Sequence, residues 1–172
     1  FVDIPETLTP LTTLKEEEFE RILGTIHIEG DYKSQRNIAL LHLMWGTGIG
    51  VEEIVNLEGK DVMPGKQNII VVGGEYSTRT IPLEDRTAEA LNNYQEYCSL
   101  RPKVDIGPNT PYFRSRKDGI KRLSSRRTRT IVMELGERVG ILNLNPRTIR
   151  NSFASRKLSE GSSLEEVAYL LG

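Results

Sequence analysis

Residues 124–172 read SSRRTRTIVMELGERVGILNLNPRTIRNSFASRKLSEGSSLEEVAYLLG. Ile131, Leu135 and Val139 recur every four positions, the apolar stripe of a helix that begins near Ser124 and carries arginines on its other faces. Asn145 stands where a helix cap belongs, since its side-chain oxygen can accept from an unpaired first-turn amide. Pro146 suits the first helical position, where no N–H is needed. Ser163 and Glu166 have capping-box spacing, so EEVAYLLG forms a last helix with Tyr169 in the core. Within NPRTIRNSF, Arg147 and Arg150 are three residues apart and share one helical face, while Ile149 and Phe153 take the core face. Two guanidinium groups one turn apart can give paired hydrogen bonds to a phosphate and stay charged at any working pH.

Toward the N-terminus the pattern stays mainly helical. Thr13 and Glu16 have capping-box spacing, and Leu14, Phe19, Ile22 and Leu23 predict a helix over about 14–24. GTIHIEGDYKS reads as a loop. Residues 37–45 are apolar on most sides, which predicts a buried helix. GTGIG breaks it, and VEEIVNLEG predicts a short helix ending at Gly59. DVM, NIIVV and TRTIPL then read as three antiparallel strands, separated by turn residues in PGKQN and GGEYS. A helix follows over about 85–99, then a Pro/Gly-punctuated connector and a short PYFRS strand. The expected fold class is α+β, mainly α, with one small three-stranded antiparallel sheet inserted after the third helix.

Composition bounds the function classes. A chain of 172 residues can bury a core without disulfides or metals. Cys98 is the one cysteine, so no disulfide framework exists, and core filling is its ordinary role. His27 and His42 are the only histidines, one in a loop and one on an apolar helix, so no metal site and no cofactor are read. No apolar run approaches the roughly 20 residues of a membrane span, and the N-terminus lacks a signal pattern. These features imply a soluble cytoplasmic protein with no membrane partner, associated with the nucleoid if prokaryotic. The net charge of -1 conceals an asymmetry. From Arg114 to Lys157 there are thirteen basic residues against Asp118, Glu134 and Glu137, a local excess of ten positive charges that suits a polyanion. GTGIG could also cradle a phosphate, but a dinucleotide fingerprint needs a preceding strand and here a helix precedes. The amides opening the helix near Val51 remain a candidate anion site.

Three stretches together resemble the catalytic domain of the tyrosine recombinases, the phage integrase family. ALLHLMWGTGIGVEEIVNLEGKDV is similar to the segment in which a buried helix runs into TGLR. VVGGEYSTRTIPLEDRTAEAL resembles the hairpin that ends in ERVVPL. Residues 124–172 look like the family's LTPHTLRHSFATHLLENG block and its closing LLG. The agreement covers about residues 14–172. The resemblance implies one domain over residues 1–172, with a core-binding domain before it and a tyrosine-bearing segment after it.

In that family a tyrosine attacks a DNA phosphate, and two arginines clamp the charge that develops on its oxygens. Carried over by position, the first arginine falls on Gly50 and the hairpin lysine on Gly74, with Lys66 too far along the strand to substitute simply. Glu53 matches a glutamate that supports the site, the alternative being an exposed helix residue. Arg147 replaces the first histidine, and Arg150 retains the second arginine. Arg79 matches the arginine before the closing strand, as a phosphate contact or a surface residue. The expected DNA-contacting set is Arg79, Arg116, Lys117, Lys121, Arg122, Arg126, Arg127, Arg147 and Arg150. Losing one oxyanion-type donor costs about 100- to 1000-fold in rate, so the internal departures at 50, 74 and 147 imply impaired or lost strand cleavage. Double-stranded DNA is the expected partner, in a homo-oligomer on DNA or together with active recombinase subunits. The alternatives are a divergent active recombinase, its clamp rebuilt from Arg147, Arg150 and Arg79, and a non-catalytic regulatory module that binds proteins.

Overall fold

A computed structural model describes residues 12–26, 31–63, 68–73, 77–116 and 121–172. Lys66, Gly74 and Lys117 lie outside the described residues, as do His27 and Tyr76.

Helix α1 spans Glu16–Gly24, its first turn carrying three glutamates that suit the positive end of the helix dipole. Its start differs from the Thr13–Glu16 expectation. Lys15 is the cap residue, and its N–H donates to Glu18 Oε2 at 2.8 Å. Helix α2, Tyr32–Thr47, also begins earlier than its apolar run suggests, inside the segment read as a loop. Asp31 caps it by accepting from the Ser34 N–H at 2.6 Å. Buried Arg36 then ties its first turns to the rest of the chain by donating to the carbonyls of Arg114 and Ser115. Leu40, Leu41 and Leu43 are fully buried, so α2 is the central helix. It ends at Gly48, whose φ of 65° is the left-handed conformation that glycine adopts without a Cβ clash.

Helix α3, Val51–Asn56, stops short of Gly59 because the backbone is already extended at Leu57. A 3-10 turn at Gly59–Asp61 leads into strands β1, Val62–Met63, β2, Asn68–Gly73, and β3, Ser77–Pro82. All pairings are antiparallel in the order β1-β2-β3, with Ile69 opposite Ile81 and Val71 opposite Arg79. Helix α4, Asp85–Ser99, packs on α2. The PYFRS segment makes only two isolated bridges, Glu58 to Pro111 and Arg114 to Arg122, instead of a strand. Its aromatic residues serve the core: Phe113 stacks on Tyr94, whose hydroxyl donates to the Tyr112 carbonyl at 3.1 Å. Cys98 is buried beside them, and burial pushes its thiol up to about 11.

Helix α5, Ser125–Glu137, is capped by Ser124, which accepts from the Arg127 N–H. Helix α6, Pro146–Ser159, packs on α2, and α7, Leu164–Leu171, packs on α6 and β3. Among the buried residues of α7 is Val167, whereas Tyr169 is 58% exposed and therefore not a core residue. No helix among the described residues is long and apolar enough to cross a membrane.

Candidate phosphate-binding site

The site begins with the cap of α6. Asn145 Oδ1 accepts from the Thr148 N–H at 3.1 Å, and Pro146 opens the helix, which sets the rotation of its first turn. Ile149 and Phe153 are buried at 0% and 1% exposure. The opposite face, three residues apart, turns Arg147 and Arg150 into one concavity of about 490 Å³. Its other walls include Gly50, Glu52 and Glu53 around the start of α3, Arg129 from α5, and Leu171 and Gly172 at the end of α7. The two arginines thus come together as their spacing implies, and Gly50 lies on the same concavity.

Gly50 has φ -76° and ψ 157°, an extended conformation open to any residue. A Cβ built there would lie 3.3 Å from Arg150 Nη1 and 3.7 Å from Glu53 Oε2. Glycine at this position removes a side chain from the pocket without serving a backbone need.

Glu53 is not an exposed helix residue. Its carboxylate accepts from Arg79 Nη1 at 2.6 Å and Arg79 Nη2 at 3.0 Å, and from the Gly50 N–H at 3.0 Å. Burial alone would raise its pKa. The Arg79 hydrogen bonds, the Gly50 amide and the charges of Arg79 and Arg150 outweigh that and hold the carboxyl below the usual range. The Gly50 amide is therefore occupied from within. Arg79, expected as a phosphate contact or a surface residue, is 6% exposed and is not a surface residue. Its Nε donates to the Leu170 carbonyl at 3.0 Å and its Nη2 to the Leu171 carbonyl at 3.1 Å. Arg150 Nη2 also donates to the Leu171 carbonyl, at 3.1 Å, so both guanidinium groups satisfy the free carbonyls that end α7.

The other basic residues divide into free and engaged groups. Arg116, Lys121 and Arg126 are exposed, and Arg127 pairs with Glu134 at 3.3 Å on the surface of α5. Arg122 is turned inward, donating to the Val55 carbonyl at 2.5 Å. Arg114, 2% exposed, donates to the Asp105 carbonyl at 2.6 Å. Arg156 lies over the Trp45 ring, and Lys157 pairs with Glu84 and Glu160. The sequence excess of ten charges overstates the cationic surface, because burial and internal pairing decide which cations face outward.

One pocket residue was missed by the motif reading. Arg129 was counted as part of a basic helix but not placed at the site. Its spacing of three from Arg126 is the signal, since it puts both on one face of α5, and only the fold shows that face meeting the start of α6. Among the described residues no cluster of three or more His, Cys, Asp or Glu side chains could hold a metal ion.

Residues 12–172 match the phage integrase family. The chain belongs to that family. It is 32% identical over 151 residues to a tyrosine recombinase XerC of Thermodesulfovibrio yellowstonii, covering 84% of this chain and 48% of that protein. It is 32% identical over 170 residues to the tyrosine recombinase XerA of Pyrococcus furiosus, covering 98% and 55%. Among solved structures, a XerA recombinase superposes with a TM-score of 0.76 at 25% identity, covering 94% of this chain and 56% of that one. XerH bound to its difH substrate, in a pre-cleavage complex, superposes with a TM-score of 0.75 at 22% identity, covering 94% and 47%; this likeness speaks to fold alone. The chain spans about half the length of the relatives it matches. The mainly helical architecture is that of the integrase catalytic domains.

Proposed function

We propose that this phage integrase family domain binds double-stranded DNA through its phosphates in site-specific recombination or integration, with strand cleavage impaired or lost. The observation that carries the reading is Arg147 and Arg150, one turn apart and lining one concavity with Gly50. A phosphodiester needs planar, permanently charged donors, and the α6 pair offers them in a fixed relation. The relatives are tyrosine recombinases, which supports DNA as the partner. Gly50 brings no guanidinium where the family resemblance places one, which supports impaired cleavage. Arg79 and Arg122 leave the proposed DNA-contacting set because their guanidinium groups are engaged within the protein, Arg79 by Glu53 and the end of α7 and Arg122 by the Val55 carbonyl and Glu58. Arg116, Lys117, Lys121, Arg126, Arg127, Arg147 and Arg150 remain.

The test is charge reversal. In fluorescence anisotropy at low salt, Arg147→Glu with Arg150→Glu weakens binding to a labelled duplex by about 100-fold or more, two charge-assisted contacts being replaced by repulsion. Undiminished binding by the double variant overturns the phosphate-binding reading. For cleavage, the full-length parent given a nicked suicide substrate yields no covalent protein–DNA adduct while binding persists; a tyrosine-linked adduct instead establishes a divergent active recombinase.

A further inference from the structure

We infer that Arg129 of α5 is a third phosphate-binding cation of this pocket, supplying from another helix the guanidinium that Gly50 lacks. The inference rests on the phosphate-binding reading of Arg147 and Arg150 and names a residue outside the motif that carries it.

Three observations converge. Arg129 lines the same concavity as Gly50, Arg147 and Arg150. A neighbouring concavity, lined by Arg126, Thr130 and Met133, shares Arg129 and Asn145 with it, so Arg129 stands between the pocket and the exposed basic face of α5. And the side chain is free to turn. Arg129 Nη2 lies 3.3 Å from Glu52 Oε1, in a pair whose members are 55% and 70% exposed.

The accessibility of this pair decides its role. An ion pair between long side chains in water contributes little and is readily exchanged for a better partner. A phosphodiester, with charged oxygens and a second and third guanidinium already facing it, is such a partner. Glu52 competes for Arg129 but is not orphaned by the exchange, because the Ser125 hydroxyl donates to its Oε2 at 2.8 Å and, at 70% exposure, water reaches it. Ser125 and Arg129 are four residues apart, one above the other on α5, so in the absence of an anion they clasp Glu52 together. Arg79 is held differently. That guanidinium is buried, holds Glu53 with two hydrogen bonds and engages two carbonyls, and no ligand can recruit it without exposing an unpaired carboxylate. Of Arg79 and Arg129, the two arginines paired with carboxylates of α3, only Arg129 is available.

The pocket also has room for the side chain Gly50 lacks. The extended backbone at 50 admits any residue, and a Cβ there meets only Arg150 Nη1 at 3.3 Å and Glu53 Oε2 at 3.7 Å, so the Arg150 guanidinium has to give by a few tenths of an ångström. Restoring an arginine there should therefore make Arg129 dispensable.

The experiment measures binding of a labelled duplex, with its salt dependence, for the wild type, Arg129→Ala, Arg129→Lys, Arg150→Ala and the double variant Gly50→Arg with Arg129→Ala. Arg129→Ala weakens binding about tenfold at low salt and flattens the dependence of log K on log salt by about one unit. Arg129→Lys recovers part of the loss, since lysine keeps the charge but not the fork. Gly50→Arg in the Arg129→Ala background returns affinity to within about threefold of the wild type, most of the tenfold loss. Glu52→Gln tightens binding in the wild type and tightens it less once Arg129 is alanine, the remaining gain coming from the loss of a pocket carboxylate. Thermal midpoints of the Arg129 and Glu52 variants match the wild type, because the pair is exposed. If Arg129→Ala binds like the wild type while Arg150→Ala loses affinity, the inference fails and the phosphate-binding reading stands. If both bind like the wild type, that reading fails first. A loss in Arg129→Ala that Gly50→Arg does not repair, or a Glu52→Gln gain that is undiminished without Arg129, places the arginine on DNA outside the pocket and overturns the assignment.

Discussion

Arg79 and Arg150 show how one residue type acquires opposite roles a few ångströms apart. Both donate to the Leu171 carbonyl, but Arg79 also closes a bidentate pair with Glu53 and is nearly inaccessible, whereas Arg150 is half-buried and lines an open concavity. Removing one partner from a buried pair leaves an uncompensated charge. Arg79→Met is therefore expected to cost about 3–5 kcal/mol in urea unfolding, and a loss below about 0.5 kcal/mol would show that the pair does not hold α7 to β3. The same pair sets a pH dependence. The Glu53 pKa is depressed in the folded state, so its stabilisation is complete above the ordinary carboxylate value and is lost as pH falls through the lower folded value. Urea midpoints should fall on acidification through that window in the wild type and fall less steeply in Glu53→Gln. Equal slopes would remove Glu53 as the source.

At the scale of elements, the site depends on how closely α2 meets α4 and α6. Gly46 lies against Thr87, whose hydroxyl donates to the His42 carbonyl at 3.2 Å, and a Cβ at 46 would collide with the Thr87 side chain. The helices approach through the missing side chain. Gly46→Leu is expected to overpack this crossing and cost about 1–3 kcal/mol, read as a lowered urea midpoint with the slope unchanged. A neutral result would mean that α4 shifts freely. Element ends were the places where sequence and structure parted. The starts of α1 and α2 are set by Glu18 reaching back to Lys15 and by Asp31, polar contacts that apolar periodicity does not register. Asn145–Pro146 and Ser163–Glu166, where cap residue and apolar run agree, were legible.

For the whole molecule, the question is how many cations face the polyanion. If all thirteen basic residues between Arg114 and Lys157 met phosphates, log K would fall against log salt with a slope near about -12. Arg114, Arg122, Arg156 and Lys157 are engaged internally, and those remaining do not share one surface element. A slope of about -4 to -6 is expected in titrations of a labelled duplex, as for five to seven phosphate contacts. A slope near -12 would show that the internal donors are released on binding.

Local chemistry was enough to establish the mainly helical class, the apolar faces of α5 and α6, the cap at Asn145 and the shared face of Arg147 and Arg150, because each rests on residues within a few positions of one another. The fates of Arg79, Arg129 and Tyr169 were not readable in that way. A spacing assigns a side chain to a face of its own helix or strand. Whether that face meets a carboxylate, an open pocket or solvent depends on elements distant in the chain, and packing brings those elements together.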